Sequence, residues 1–350
     1  MPNDIPRRPS TNVGSAVVRS LLAAACGPQP GASGEPSASA PVGQTARATA
    51  LKVGLGYIPS VQFAPFYLAQ ENGYYTQAGL DVTFDNRTDA DVVLLVGQGD
   101  LDIGVADGTS VIPAVSQAIP VRYLATLYGT YPSIVFAKAS SGITGAAGLR
   151  GKKIGIPGKY GSSWIMLQAL LDSAGMTPDD VTIELYPDYG QGVAVQQGVV
   201  NAATGFANNE PVQLELSGEP AVVLHVDDVV PLPGPGLISS VATLEAKRDA
   251  VAAFIAATLR AMTEIAAEPK VGLDAAIVAV PELAAQREKQ AAILDATIAT
   301  WSPASGGGAF GAIDRASWEA SVVYMTKLGL VPKPVTVDEL VRDDLLPAQP

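Results

Sequence analysis

The chain has 350 residues, 48% apolar and 16% charged, which is enough to bury a sizeable core and to build two lobes. Its 22 basic residues against 34 acidic ones leave a net charge of −12, which argues against nucleic acid or an anionic membrane surface as partner. A single cysteine, Cys26, and a single histidine, His225, can form neither a disulfide framework nor a Cys/His metal cluster, so no metal site is expected.

In chain order, residues 1–26 come first. An Arg7-Arg8 pair, an apolar stretch from Val13 and small residues leading into Cys26 read as a lipoprotein signal peptide, with Cys26 as the lipidation site. Residues 27–50 are almost wholly Gly, Ala, Ser, Pro and Thr and cannot bury enough apolar surface to order themselves, so they read as a disordered tether. No run of about eighteen apolar residues follows, so no spanning helix is expected.

From Leu51, short strand-type runs alternate with helix-type stretches, the pattern of a parallel, doubly wound sheet. LKVGLGY, LDVTFDN and LDIGVAD read as strands; APFYLAQENGYY, DADVVLLVGQG and GTSVIPAVSQA read as helices; VRYLATLY and SIVFAKA read as further strands. A second series then resembles the first. Lys153-Ile154-Gly155-Ile156 matches Lys52-Val53-Gly54-Leu55, and the words at Gln197 and Gln98 match in the same way, each about a hundred residues on, the length of a small domain. Beyond Ser240 the chain reads as helices. The expected fold is α/β: two doubly wound lobes around a ligand cleft, joined by a two-strand hinge. Residues 51–138 and 239–350 form one lobe and 139–238 the other, with hinges near Lys138 and Leu237.

The loops after the strands hold the candidate ligand-binding residues. After the first strand, Tyr57 and Phe63 offer flat faces and Gln62 a donor and an acceptor, which suits a planar heterocycle with polar edges. Phe66, Tyr67 and Leu68 read instead as helix-to-sheet packing. Asp107 and Thr109, after the third strand, suit either a helix cap or the cleft, and either Tyr128 or Tyr131 can enter it. In the second lobe, Ser162 and Ser163 stand at a helix start, as caps or as ligand contacts, with Tyr160 and Trp164 placed to flank a ring. Asn208 and Asn209 form a turn or read a ring edge, and Glu210 accepts from a ring N–H or caps the next helix.

No nucleophile with a base, no spaced carboxylate pair and no nucleotide loop appears, and His225 reads as structural, so no catalytic residue is expected and capture is favoured over chemistry. The words GYIPSVQFAPFYLAQENGYY, GQGDLDIGVADG, LRGKKIGIPGKYGSSW and ANNEPVQL resemble the solute-binding proteins of bacterial ABC importers, in the branch related to thiamine-pyrimidine-precursor and sulfonate binders. Gly56 to Pro65, Tyr131-Pro132, Gly155 to Ser163 and Asn208 to Gln213 are similar to riboflavin-binding proteins of the RibY type.

This resemblance implies a type II periplasmic-binding-protein fold, an extracytoplasmic monomer tethered by its lipid, and delivery of riboflavin or a related flat N-heterocycle to a permease with an ATPase. Riboflavin would be the transported ligand, with no cofactor besides it. The aromatics would sandwich the ring, while Gln62, Asn208 and Asn209 would read its pyrimidine edge and the serines near Ser162 would take ribityl or carbonyl oxygens. An aminopyrimidine precursor or a sulfonate are the alternative ligands. A pyrimidine-precursor synthase is disfavoured, because its cysteine-rich motif and reactive histidine are missing here.

Overall fold

The computed structural model describes residues 47–87, 89–302 and 309–347, so the expected signal peptide, Cys26 and most of the tether lie outside the described residues. Thr49 and Ala50, expected in the tether, instead open the first strand. The first half runs through strands β1 (Thr49–Leu55), β2 (Leu80–Asn86), β3 (Ile103–Asp107) and β4 (Val121–Thr126), with helices α1 (Ala64–Glu71), α2 (Tyr74–Gln77), α3 (Asp89–Gln98) and α4 (Gly108–Ser116). The second half carries β5 (Ser133–Lys138), β6 (Lys153–Ile156), β7 (Thr182–Leu185), β8 (Ala202–Phe206) and β9 (Ala221–His225), with α5 (Gly161–Ser173), α6 (Gln191–Gln196) and α7 (Glu210–Leu216). The chain returns through β10 (Pro235–Ser240) into α8 (Val241–Ala267), α9 (Pro269–Ala279), α10 (Arg287–Trp301), α11 (Arg315–Lys327) and α12 (Val337–Leu340).

Two five-stranded sheets result, in the orders β2-β1-β3-β10-β4 and β7-β6-β8-β5-β9. The order is the same in both, and the repeated sequence words fall on equivalent strands. The Lys52 N–H donates to Asp102 Oδ2 at 2.9 Å and the Lys153 N–H to Asn201 Oδ1 at 2.9 Å. In return, the Asp102 and Asn201 amides donate to the Lys52 and Lys153 carbonyls, each at 2.9 Å. A polar side chain thus closes the start of the inner parallel pair in each half.

The parallel expectation holds for β1, β2 and β3 and for β6, β7 and β8. The exceptions are the strands that cross over. β10 lies antiparallel between β3 and β4, and β5 lies antiparallel between β8 and β9. Because β5 pairs in the second sheet and β10 in the first, the crossings are residues 127–132 and 226–234, not Lys138 and Leu237, which sit inside strands. The two crossings are tied together, for the Tyr131 N–H donates to Asp227 Oδ2 at 3.1 Å and the Tyr128 N–H to the Pro235 carbonyl at 3.0 Å.

The aromatics of the first helical region pack as expected. Phe66, Tyr67 and Leu68 are buried, and the Phe66 and Tyr67 rings meet Phe84 of β2 with centroids 5.9 and 6.4 Å apart. Phe254 of α8 stacks on Tyr75 with centroids 4.9 Å apart and planes 8° from parallel. The Tyr75 and Thr258 hydroxyls share a hydrogen bond of 2.9 Å beneath that stack. Burial pushes the Tyr67 hydroxyl up to about 12. A second core joins α3, α4 and α11 to β6 and α5, so apolar packing is continuous from one half to the other. Among the described residues, α8 alone is long and apolar enough to cross a membrane. Half of that window is buried in the protein, which marks it as a core helix.

Candidate functional site

A cavity of about 1020 Å³, counted with its open mouth, lies at the carboxyl ends of the parallel strands of both sheets. That is the position where strand ends and helix starts leave polar backbone available in open α/β folds. The first half supplies the loop after β1 and the end of β3, and the second supplies the turns after β6, β7 and β8.

Nine of the twelve expected binding residues line it: Tyr57, Gln62 and Phe63, then Asp107, then Tyr160, Ser162 and Ser163, and finally Asn209 and Glu210. Three do not. Asn208 is fully buried beneath the cavity and donates through Nδ2 to Gln62 Oε1 at 3.1 Å and to Thr297 Oγ1 at 2.9 Å. Its Nδ2 joins the halves and is not free to read a ring, and Asn208 itself stays out of the cavity lining. Tyr131 is 2% exposed, with its hydroxyl 3.2 Å from Thr109 Oγ1 and its N–H on Asp227, so it braces the crossings. Trp164 packs on the second core and carries the Lys159 ammonium 5.8 Å from its ring. Of the two tyrosines open to either role, Tyr128 is the one that lines the cavity.

Sequence reasoning missed Tyr189, Gln191, Phe206 and Pro235. Tyr189 holds φ at +60°, a left-handed conformation that favours glycine, so YPDYGQG reads as a plain turn. Its ring meets Tyr57 edge-on, with centroids 5.1 Å apart, across the two halves. Serines 162 and 163 are not caps, because Tyr160 occupies the cap position of α5 without a side-chain bond. With Gly161 they border the cavity at the start of that helix, where the first N–H groups have no partner within the helix. Asp107 stands in the same way before α4, without capping it.

Glu210 is held from inside the protein. Its Oε2 accepts the Phe206 N–H at 2.8 Å and its Oε1 accepts Asn209 Nδ2 at 3.2 Å. Gly205 leaves the room, since a Cβ there would fall 2.7 Å from Oε2. Asn209 Oδ1 accepts from Gln213, whose own Oε1 accepts from Lys289 on α10 at 3.2 Å. Desolvation raises the Glu210 pKa above the usual carboxylate range, against the lowering effect of those hydrogen bonds. Tyr57 is pushed up by its own burial, and then by the nearby Glu210 and Tyr189. Among the described residues, no lysine or arginine lines the cavity, and its carboxyl groups are those of Asp107 and Glu210. His225 ends β9 opposite Ile134, apart from the lining.

A family model described as NMT1/THI5 like matches residues 60–271. The chain belongs to the NMT1/THI5-like family. It is 32% identical over 304 residues to the riboflavin-binding protein RibY of Chloroflexus aurantiacus, spanning 84% of this chain and 85% of that protein. A similarity of 29% over 183 residues reaches the 4-amino-5-hydroxymethyl-2-methylpyrimidine phosphate synthase of Legionella pneumophila, across 51% of this chain and 56% of that one.

Among solved structures, the alkanesulfonate-binding protein SsuA from Xanthomonas axonopodis pv. citri, bound to MOPS, superposes with a TM-score of 0.67 at 18% identity, covering 85% of this chain and 99% of SsuA. The nitrate-binding protein NrtA from Synechocystis PCC 6803 gives 0.63 at 16% identity, covering 85% and 87%. This member of the NMT1/THI5-like family therefore has the periplasmic-binding-protein fold, with two α/β lobes around a cleft.

Proposed function

We propose that this protein is the extracytoplasmic solute-binding component of an ABC importer, and that it captures riboflavin or a related flat N-heterocycle in the cavity between its halves. The observation that carries the reading is the chemistry of the lining. Aromatic residues come from both halves, the acidic residues are Asp107 and Glu210, and the polar remainder includes the amide residues Gln62, Gln191 and Asn209 and the hydroxyl residues Ser162 and Ser163. Such walls suit a neutral, planar ring whose edge alternates N–H and carbonyl. An anionic sulfonate or nitrate would find no lysine or arginine among the residues that line the cavity, and Lys159 lies over Trp164.

The similarity to RibY along most of both chains supports a flavin as the ring. The similarity to pyrimidine synthases covers half of the chain and brings no catalytic histidine to the cavity, which supports binding over turnover. Delivery to a permease and its ATPase, a monomeric state and a lipid anchor at Cys26 belong to the same reading. Isothermal titration with riboflavin and, separately, with ethanesulfonate tests it. Saturable heat with riboflavin alone is the expected result, and saturable heat with ethanesulfonate alone would overturn it.

A further inference from the structure

Gln191 opens α6 three residues after Asp188 and immediately after Gly190, on the second half's wall of the cavity. Its side chain is only 2% exposed. Gly155 on β6 makes this possible, since a Cβ there would lie 3.1 Å from the Cβ of Gln191. Nε2 donates to the Thr204 carbonyl on β8 at 3.3 Å. That bond fixes which way the amide faces, because the reversed amide would set Oε1 against a carbonyl oxygen. Oε1 is left buried with no hydrogen-bond partner among the described residues. A buried acceptor without a donor is costly, and a donor on a bound ligand removes that cost.

We propose that Gln191 is a specificity-determining residue whose Oε1 accepts a hydrogen bond from the ring N–H of the bound heterocycle. The inference rests on the flavin reading above. Oxidised flavin carries one ring N–H, at N3, between two carbonyl groups, and the donors that open α5 suit those carbonyls. Glu210 is less suited to the role, for both of its oxygens already accept from Phe206 and Asn209. The side chain that combines burial, a fixed orientation and an open acceptor at this wall is Gln191.

The test compares unaltered and Gln191→Met protein, each titrated with riboflavin and with N3-methylriboflavin. Methionine matches glutamine in length and lacks the acceptor. Loss of the bond should weaken riboflavin binding by about 10-fold or more. The same substitution should change the affinity for the methylated ligand by less than about 3-fold, because that ligand has no N–H to lose. Equal losses for both ligands would mean that Gln191 only shapes the wall, and would overturn the proposal. No loss for riboflavin would overturn it as well, with the flavin reading intact. If the unaltered protein fails to bind riboflavin, the flavin reading falls and takes this inference with it. Should Gln191→Met not fold, the unaltered protein still decides: equal affinity for riboflavin and its N3-methyl form overturns the proposal, and a preference of about 10-fold for riboflavin supports it.

Discussion

The side-chain amide of Asn208, on the second half, donates to Gln62 Oε1, on the first, at 3.1 Å with both residues buried. The same Nδ2 reaches Thr297 on α10, so one amide joins three elements at the floor of the cavity. Truncation to Asn208→Ala takes the donor from buried Gln62 Oε1, while Thr297 Oγ1 keeps its bond to the Ile293 carbonyl at 2.7 Å, and should lower the unfolding free energy by about 1–3 kcal/mol. Chemical denaturation measures this, and an unchanged midpoint would show that the bond contributes nothing.

Glu210 sets a pH dependence. Its pKa is raised in the folded protein, so between the ordinary value of 4.5 and the raised one the native state holds more protons than the unfolded chain. Stability should therefore fall as pH rises through that window, and Glu210→Gln should flatten the Glu210 share of the slope. Asp227, also raised by burial, keeps its own share in the variant. Denaturation midpoints across a pH series, for both proteins, give the comparison.

Tyr57 and Tyr189 meet edge-on across the mouth. A double-mutant cycle with Tyr57→Leu and Tyr189→Leu, read by denaturation, should give a coupling of about 0.5–1.5 kcal/mol. Zero coupling would mean that the two rings merely adjoin.

Asp102 accepts the Lys52 N–H and also pairs with Lys247 Nζ at 2.8 Å. Asn201 occupies the equivalent place with the backbone contact alone. Asp102→Asn keeps the backbone acceptor and should cost within about 1 kcal/mol, the range of a partly exposed ion pair. Asp102→Ala removes both contacts and should cost about 1–3 kcal/mol. The reverse order would refute the structural equivalence of the two sites.

That equivalence is also where the sequence was most informative. The two Lys-initiated strand words and the Asp102 and Asn201 words recur because each half closes its inner parallel pair with the same backbone exchange. The loop aromatics and Glu210 were legible because residue type and position after a strand are enough to place them. Strand direction was not. β5 and β10 carry apolar or Gly/Pro-rich words with no mark of orientation, and only the closed sheet shows that each crosses over to run antiparallel.

Asn208 and Asn209 looked interchangeable. Which amide faces the floor and which supports Glu210 is decided by backbone turn geometry and by α10, nearly ninety residues further on. Tyr189 and Gln191 were hidden for a similar reason, since one adopts a backbone conformation foreign to tyrosine and the other is a glutamine whose burial depends on a distant glycine.

The most direct test of flavin capture is the fluorescence of riboflavin titrated with the purified protein. Stacking on tyrosine rings at the cavity wall should quench the flavin emission to a saturable limit in the micromolar range or tighter, and Tyr57→Ala should weaken that binding. Unquenched emission at protein concentrations well above that range would contradict the account.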